Sequence, residues 1–229
     1  MNYLKKLIKS ICPILIVTII QYLIIIISLG IYILIGNKNT NTFVSNYVSV
    51  ILCIINIFII YILLKKYKYK DRKINKKNMF PLISLGISIS CFLNMIIFKI
   101  IPPTDKELLP IHIAILSSGI VGPILEEILF RYILLNKLKD FNSNRNALII
   151  STIIFAIVHI NIVKVIYALI LGIALNIVYH KTNNLKASII IHISANIMSI
   201  FLFKYNIYIL LLSLINLIIS TLILKKTLV

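Results

Sequence analysis

Acidic residues are scarce in this chain: six Asp and Glu stand against 24 Lys and Arg in 229 residues. Cysteine is scarcer still. Cys12, Cys53 and Cys91 all fall in apolar stretches, are odd in number and lack metal-ligand spacing, so neither a disulfide framework nor a cysteine metal site is expected. The short HExxH zinc signature is missing. No internal repeat or low-complexity linker is found, and no stretch outside the apolar segments is long enough to fold alone, which leaves one integral-membrane domain over 1–229.

Hydrophobic side chains are what the sequence does have, at 60% of residues and a mean hydropathy of +1.04. They run in stretches of about 20 residues, the length of a membrane-crossing helix. The class is an all-α, polytopic membrane protein. Polar breaks predict eight transmembrane helices: Ile11 to Ile35, Phe43 to Leu64, Phe80 to Phe98, Ile111 to Leu135, Asn146 to Ile162, Val163 to Tyr179, Ala187 to Phe203 and Asn206 to Leu224. The first follows Lys5, Lys6 and Lys9 as a signal peptide would. Its apolar stretch is too long and lacks a small-residue cleavage site, so it reads as a retained helix.

Charge orients the bundle. With both termini cytoplasmic, the basic residues gather inside at Lys5 to Lys9, Lys65 to Lys77, Lys137 to Arg145, Lys181 to Lys186 and Lys225 to Lys226, leaving Lys38, Lys99, Lys106, Lys164 and Lys204 outside. The same bias accounts for the net charge of +18 without nucleic acid; the Lys65 to Lys77 loop reads as a topology signal resting on anionic headgroups. The wealth of Ile, Lys and Asn fits a low-GC bacterial genome and hence a multi-pass protein of a bacterial plasma membrane.

Against this background Glu126 and Glu127 stand side by side in GIVGPILEEILFRYILL, with Arg131 one turn on. A carboxylate at membrane depth costs several kcal/mol unless paired or wetted, which makes it a functional candidate. An ionic cluster gluing helices together is the plainer alternative. Pro123 removes a backbone donor, leaves the Gly119 carbonyl without its helical partner and predicts a kink before Glu126. Adjacent helical residues diverge by about 100°, whereas Glu127 and Arg131 are spaced to pair. Glu127 is therefore expected to be held ionised by Arg131. Glu126 is expected to face a water-containing cavity open to the cytoplasmic side, with desolvation and the neighbouring negative charge making it a stronger base.

Two histidines lie in later apolar segments: His159 toward the outer end of the fifth helix, and His192 near the start of the seventh with Asn196 on the same face. At about 1.5 Å per residue Glu126, His159 and His192 lie roughly 14, 20 and 8 Å from the cytoplasmic ends, with His159 the outlier. His112 and His180 fall at helix ends and are expected at the interface; Phe155, one turn before His159, reads as packing. A carboxylate and two imidazoles around water support hydrolysis in either of two ways. Glu126, His159 and His192 could bind a divalent metal such as zinc with one open position. Alternatively, Glu126 with His159 could activate water directly while His192 and Asn196 donate to an oxyanion.

Glu126-Glu127-Ile-Leu-Phe-Arg131, Phe155-Ala-Ile-Val-His159 and His192-Ile-Ser-Ala-Asn196 resemble, in order, the EExxxR, FxxxH and HxxxN motifs of the CAAX-protease and bacteriocin-processing (CPBP or Abi) family of intramembrane proteases. The resemblance implies a protease core at 111–203 that cleaves membrane-associated peptides or proteins. Glu126 would activate water, His159 would assist it or bind metal, His192 and Asn196 would complete the site, and Glu127 and Arg131 would support it. Metal-dependent and metal-independent glutamate mechanisms both stay open. Tyr132 stands where many members have glycine, which implies altered helix packing. Peptide maturation, bacteriocin self-immunity or control of a membrane sensor is implied in place of prenyl-protein processing. The alternatives are a non-catalytic immunity or sensor-binding protein of the same fold, and a proton-coupled transporter, against which no inverted repeat is found. Neither the substrate nor the oligomeric state is legible.

Overall fold

The computed structural model describes residues 2–34, 47–67, 74–101, 109–202 and 204–227. Lys38, Lys106, Phe43, the middle of the basic loop (68–73) and Phe203, all named above, lie outside the described residues. Among the described residues the fold is all-α with eight helices: α1 Tyr3–Leu34, α2 Ser49–Lys66, α3 Met79–Ile100, α4 Ile111–Lys139, α5 Asn144–Ile157, α6 Ile162–Thr182, α7 Leu185–Ile200 and α8 Ile207–Thr227. Six are long and apolar enough to cross a membrane. The other two, α5 with 14 residues and α7 with 16, fall short of the roughly 20 that a full crossing needs.

Asparagine and serine punctuate the chain. Ser143 caps α5 by accepting from the Asn146 N–H, Asn161 caps α6 through Val163 and Lys164, and Asn184 caps α7 through Ala187. These side chains satisfy amide donors that a helix start leaves orphaned, which matters more where no water can do so. Asn183 closes α6 in the left-handed conformation (φ 46°), so an Asn-Asn pair both ends one helix and starts the next.

Burial sorts the helices into two shells. α3 is buried along most of its length, from Pro81 and Leu82 to Met95. α1, α2 and α8 instead expose rows of Ile, Leu and Phe, the surface expected against lipid tails. α8 is held to α3 by a polar ladder: Ser84 Oγ donates to Asn216 Oδ1 (2.9 Å), Asn216 Nδ2 to Ser88 Oγ (2.6 Å) and Ser220 Oγ to Ser84 Oγ (2.9 Å). On the other side α7 packs so closely on α3 that a Cβ added to Gly86 would collide with the Ile191 carbonyl oxygen.

The basic ends converge. Tyr3 at the start of α1 donates to Asn142 after α4, Tyr132 Oη donates to the Tyr67 carbonyl just past α2, and Asn136 Nδ2 donates to Tyr179 Oη near the end of α6. Tyr132 thus ties α2 to α4.

Replacing Gly86 by alanine forces α3 and α7 apart. A cost of about 1–3 kcal/mol is expected, read as a lowered melting temperature of the detergent-solubilised protein.

Candidate active site

The site begins with irregular winding in α4. Two stretches, Ile115–Val121 and Ile128–Leu135, are wound as π-helix, with an α-helical piece Gly122–Glu127 between them. The Gly122 N–H reaches the Ser117 carbonyl five residues back. In that register the Ser118 carbonyl would accept from residue 123, which is proline and has no N–H. Asn196 Nδ2 on α7 donates to that carbonyl instead, at 3.0 Å. The expected break is present, but the oxygen that gains a side-chain partner belongs to Ser118 rather than Gly119.

One turn further, the two acids part company. Glu127 and Arg131 are completely buried, with Arg131 Nη1 3.1 Å from Glu127 Oε1. The same oxygen accepts from His192 Nδ1 at 2.8 Å. Opposite charge is the only inexpensive surrounding for a desolvated carboxylate. Because Nδ1 faces a carboxylate, it carries a ring proton, and the nitrogen on the opposite edge of the ring is Nε2. That nitrogen faces Glu126 Oε2 at 3.7 Å. His192 therefore inserts between the adjacent carboxylates, one ring nitrogen toward each. The desolvation expected of Glu126 is not found: its side chain keeps 35% of its surface exposed, because it lines open cavities on both sides.

Phe155 is more than the packing residue expected. Its face carries the Arg131 guanidinium at 4.2 Å, and its ring meets His159 (5.2 Å), His192 (5.9 Å) and Phe130 (5.1 Å) at near-right angles. One aromatic ring spaces the cation and both imidazoles. Behind it is Gly172, where a Cβ would lie 2.9 Å from Phe155 Cδ1. The motif spacing pointed to this phenylalanine; its contacts with α4 and α7 come from tertiary packing.

His159 is displaced from its expected helix. α5 stops at Ile157, and His159 lies in the turn to α6, followed by Ile160 with φ 60°. Its Nδ1 donates to the Phe155 carbonyl at 2.9 Å, leaving Nε2 as an acceptor in the neutral ring. His112 and His180 occupy the first turn of α4 and the last turn of α6, away from the site.

Glu126, Phe155, His159, His192 and Asn196 all line a cavity of about 600 Å³ between α3, α4, α6 and α7. From Glu126 and His192 it runs past Asn94 and Tyr167 to Ile101, Lys164 and Ile200. It thus extends toward the end of the bundle opposite the basic cluster, whereas the sequence suggested a cavity open on the basic, cytoplasmic side. The difference arises because His159 and the start of α6 belong to its wall.

Among the described residues no three His, Cys, Asp or Glu side chains converge as a metal-binding group. Glu126 and His192 approach each other, but His159 does not complete a three-ligand set with them.

Fold and site together define a membrane-helix bundle with an acid and imidazole centre in its core. Residues 108–198 match the family model described as Rce1-like, type II CAAX prenyl endopeptidase Rce1-like, and the chain carries a domain of this family, the CPBP or Abi proteases. That segment holds every residue of the Glu126, Glu127, Arg131, His159, His192 and Asn196 set. No curated protein and no solved structure matches the chain.

The adjacent acids are expected to respond oppositely to amide substitution. Glu127→Gln strands a buried guanidinium and should cost roughly 3–5 kcal/mol; Glu126→Gln, at a partly exposed carboxylate, should cost under about 1 kcal/mol. Thermal unfolding of the two variants side by side reads the difference.

Proposed function

We propose that the protein is an intramembrane endopeptidase, with residues 111–203 as its hydrolytic core, acting on membrane-associated peptides or proteins. The observation that carries this reading is the 3.7 Å approach of His192 Nε2 to Glu126 Oε2 on a cavity wall, with His192 held from behind by Glu127. A buried carboxylate fixing an imidazole tautomer is a device of hydrolytic sites. Structural glue would not require that the second carboxylate be left open to a cavity.

The chemistry follows from the free atoms. A water beside Glu126 gives one proton to the carboxylate while its oxygen bonds to the scissile carbonyl carbon. His159 Nε2 orients the water through its second hydrogen. Asn196 spends one N–H on the Ser118 carbonyl and has a second for the oxyanion. When the C–N bond breaks, the proton held by Glu126, or relayed through His192 Nε2, passes to the leaving amine. Glu127 and Arg131 do not touch the reacting atoms; they position His192.

The charge bias supports a cytoplasmic basic end, and under that orientation the cavity opens toward the outer half of the bilayer. Maturation of a secreted peptide, or destruction of an incoming bacteriocin as self-immunity, suits a site reached from there.

Purified protein incubated with a membrane-peptide mixture and read by mass spectrometry tests the reading. Glu126→Gln should lower cleavage by about 10²–10⁴-fold at unchanged melting temperature, and chelator should leave wild-type cleavage intact. Full cleavage by Glu126→Gln would refute the role of this carboxylate. Chelator inhibition reversed by zinc would replace the glutamate mechanism with a metal one.

A further inference from the structure

α1 and α2 rest on different parts of α4: α1 packs on Ile128–Leu135, and α2 on the stretch from Ile115 to Glu127. Between them lies a second cavity of about 360 Å³, and Glu126 and His159 belong to its wall as well as to that of the first. The two cavities therefore meet at the proposed reacting centre.

The far wall of the second cavity carries polar side chains among Ile14, Val17, Ile25 and Leu52, where a lipid-facing helix pair should be wholly apolar. Thr18, Gln21 and Tyr22 of α1 contribute to it, spaced so as to share one helical face, and Asn56 of α2 completes it. Gln21 Nε2 donates to Asn56 Oδ1 at 2.9 Å. That bond uses one donor and one acceptor of the two carboxamides, and Gln21 Oε1 and Asn56 Nδ2 remain. One free acceptor beside one free donor matches the N–H and C=O of an extended peptide. An interhelical bond that only held α1 to α2 would not need a cavity behind it running to the carboxylate.

We infer that the α1–α2 cavity is a second peptide subsite, in which Gln21 and Asn56 hydrogen-bond the substrate backbone on one side of the scissile bond while the larger cavity holds the other side. This rests on the hydrolytic reading above and deepens it. The substrate is an extended segment with chain on both flanks of the cleaved bond. The α1–α2 flank is read chiefly through its backbone, and the flank in the larger cavity through its side chains.

Two measurements separate this inference from the reading beneath it. In the first, a Thr18→Cys protein also carrying Glu126→Gln, Cys12→Ser, Cys53→Ala and Cys91→Ala is modified by a small methanethiosulfonate, with and without synthetic apolar peptides of graded length. Peptide should slow modification several-fold, and Gln21→Leu with Asn56→Leu should abolish the protection. In the second, cleavage of the same peptides by wild type should require residues on both sides of the bond. Asn56→Leu should act on KM by about 2–10-fold, the worth of one hydrogen bond, more than on kcat. Cleavage without protection of the introduced thiol, and with a bond profile indifferent to Gln21 and Asn56, overturns the subsite while leaving the protease standing. Protection without cleavage by wild type overturns the protease and retains a peptide-binding cavity. Absence of both overturns both.

Discussion

A guanidinium and a carboxylate with no exposed surface, Arg131 and Glu127, lie at the centre of an apolar bundle, and the site is arranged around keeping them there. Either charge alone would cost several kcal/mol. Together they demand an electron-rich ring, a donor for the carboxylate and exclusion of lipid. Phe155 supplies the ring and His192 the donor. Through His192 the demand reaches Glu126, because an imidazole that gives one nitrogen to Glu127 must turn the other toward its neighbour. The buried pair thus sets the geometry of a group it never touches.

Helix irregularity makes the arrangement reachable. In a regular α4 the carbonyl left without a partner by Pro123 would be that of Gly119 rather than Ser118. The π-wound turn before Pro123 frees the Ser118 oxygen for that side chain. α7 is therefore fixed to α4 at two levels, through Asn196 to the break and through His192 to the acids. Close packing at Gly86 presses the same helix onto α3. A short helix of 16 residues can be positioned this firmly because nearly all of its polar groups have assigned partners.

Much of this was legible in the chain. Runs of apolar residues gave the eight helices. The i, i+4 spacing of Glu127 and Arg131 gave their ion pair, and the three ordered motifs contain residues that line one cavity. The failures are physical too. An angle of about 100° between adjacent side chains suggested that Glu126 and Glu127 act apart, but one imidazole lies between them with a ring nitrogen toward each. Apolar continuity carried the fifth helix through His159, where the backbone instead reverses at Ile160. The hub role of Phe155 and the cavity behind Gln21 depend on contacts between distant helices, and no local pattern encodes them.

Glu127 holds His192 by Nδ1, which aims Nε2 at Glu126. Nitrogen-15 NMR of imidazole-labelled protein reads this directly, with His192→Asn identifying the resonance. A His192 ring protonated at Nδ1 toward Glu127 is expected, with loss of that signature in a Glu127→Gln protein that still folds. A wild-type ring protonated at Nε2 alone, or a tautomer indifferent to Glu127, would contradict it.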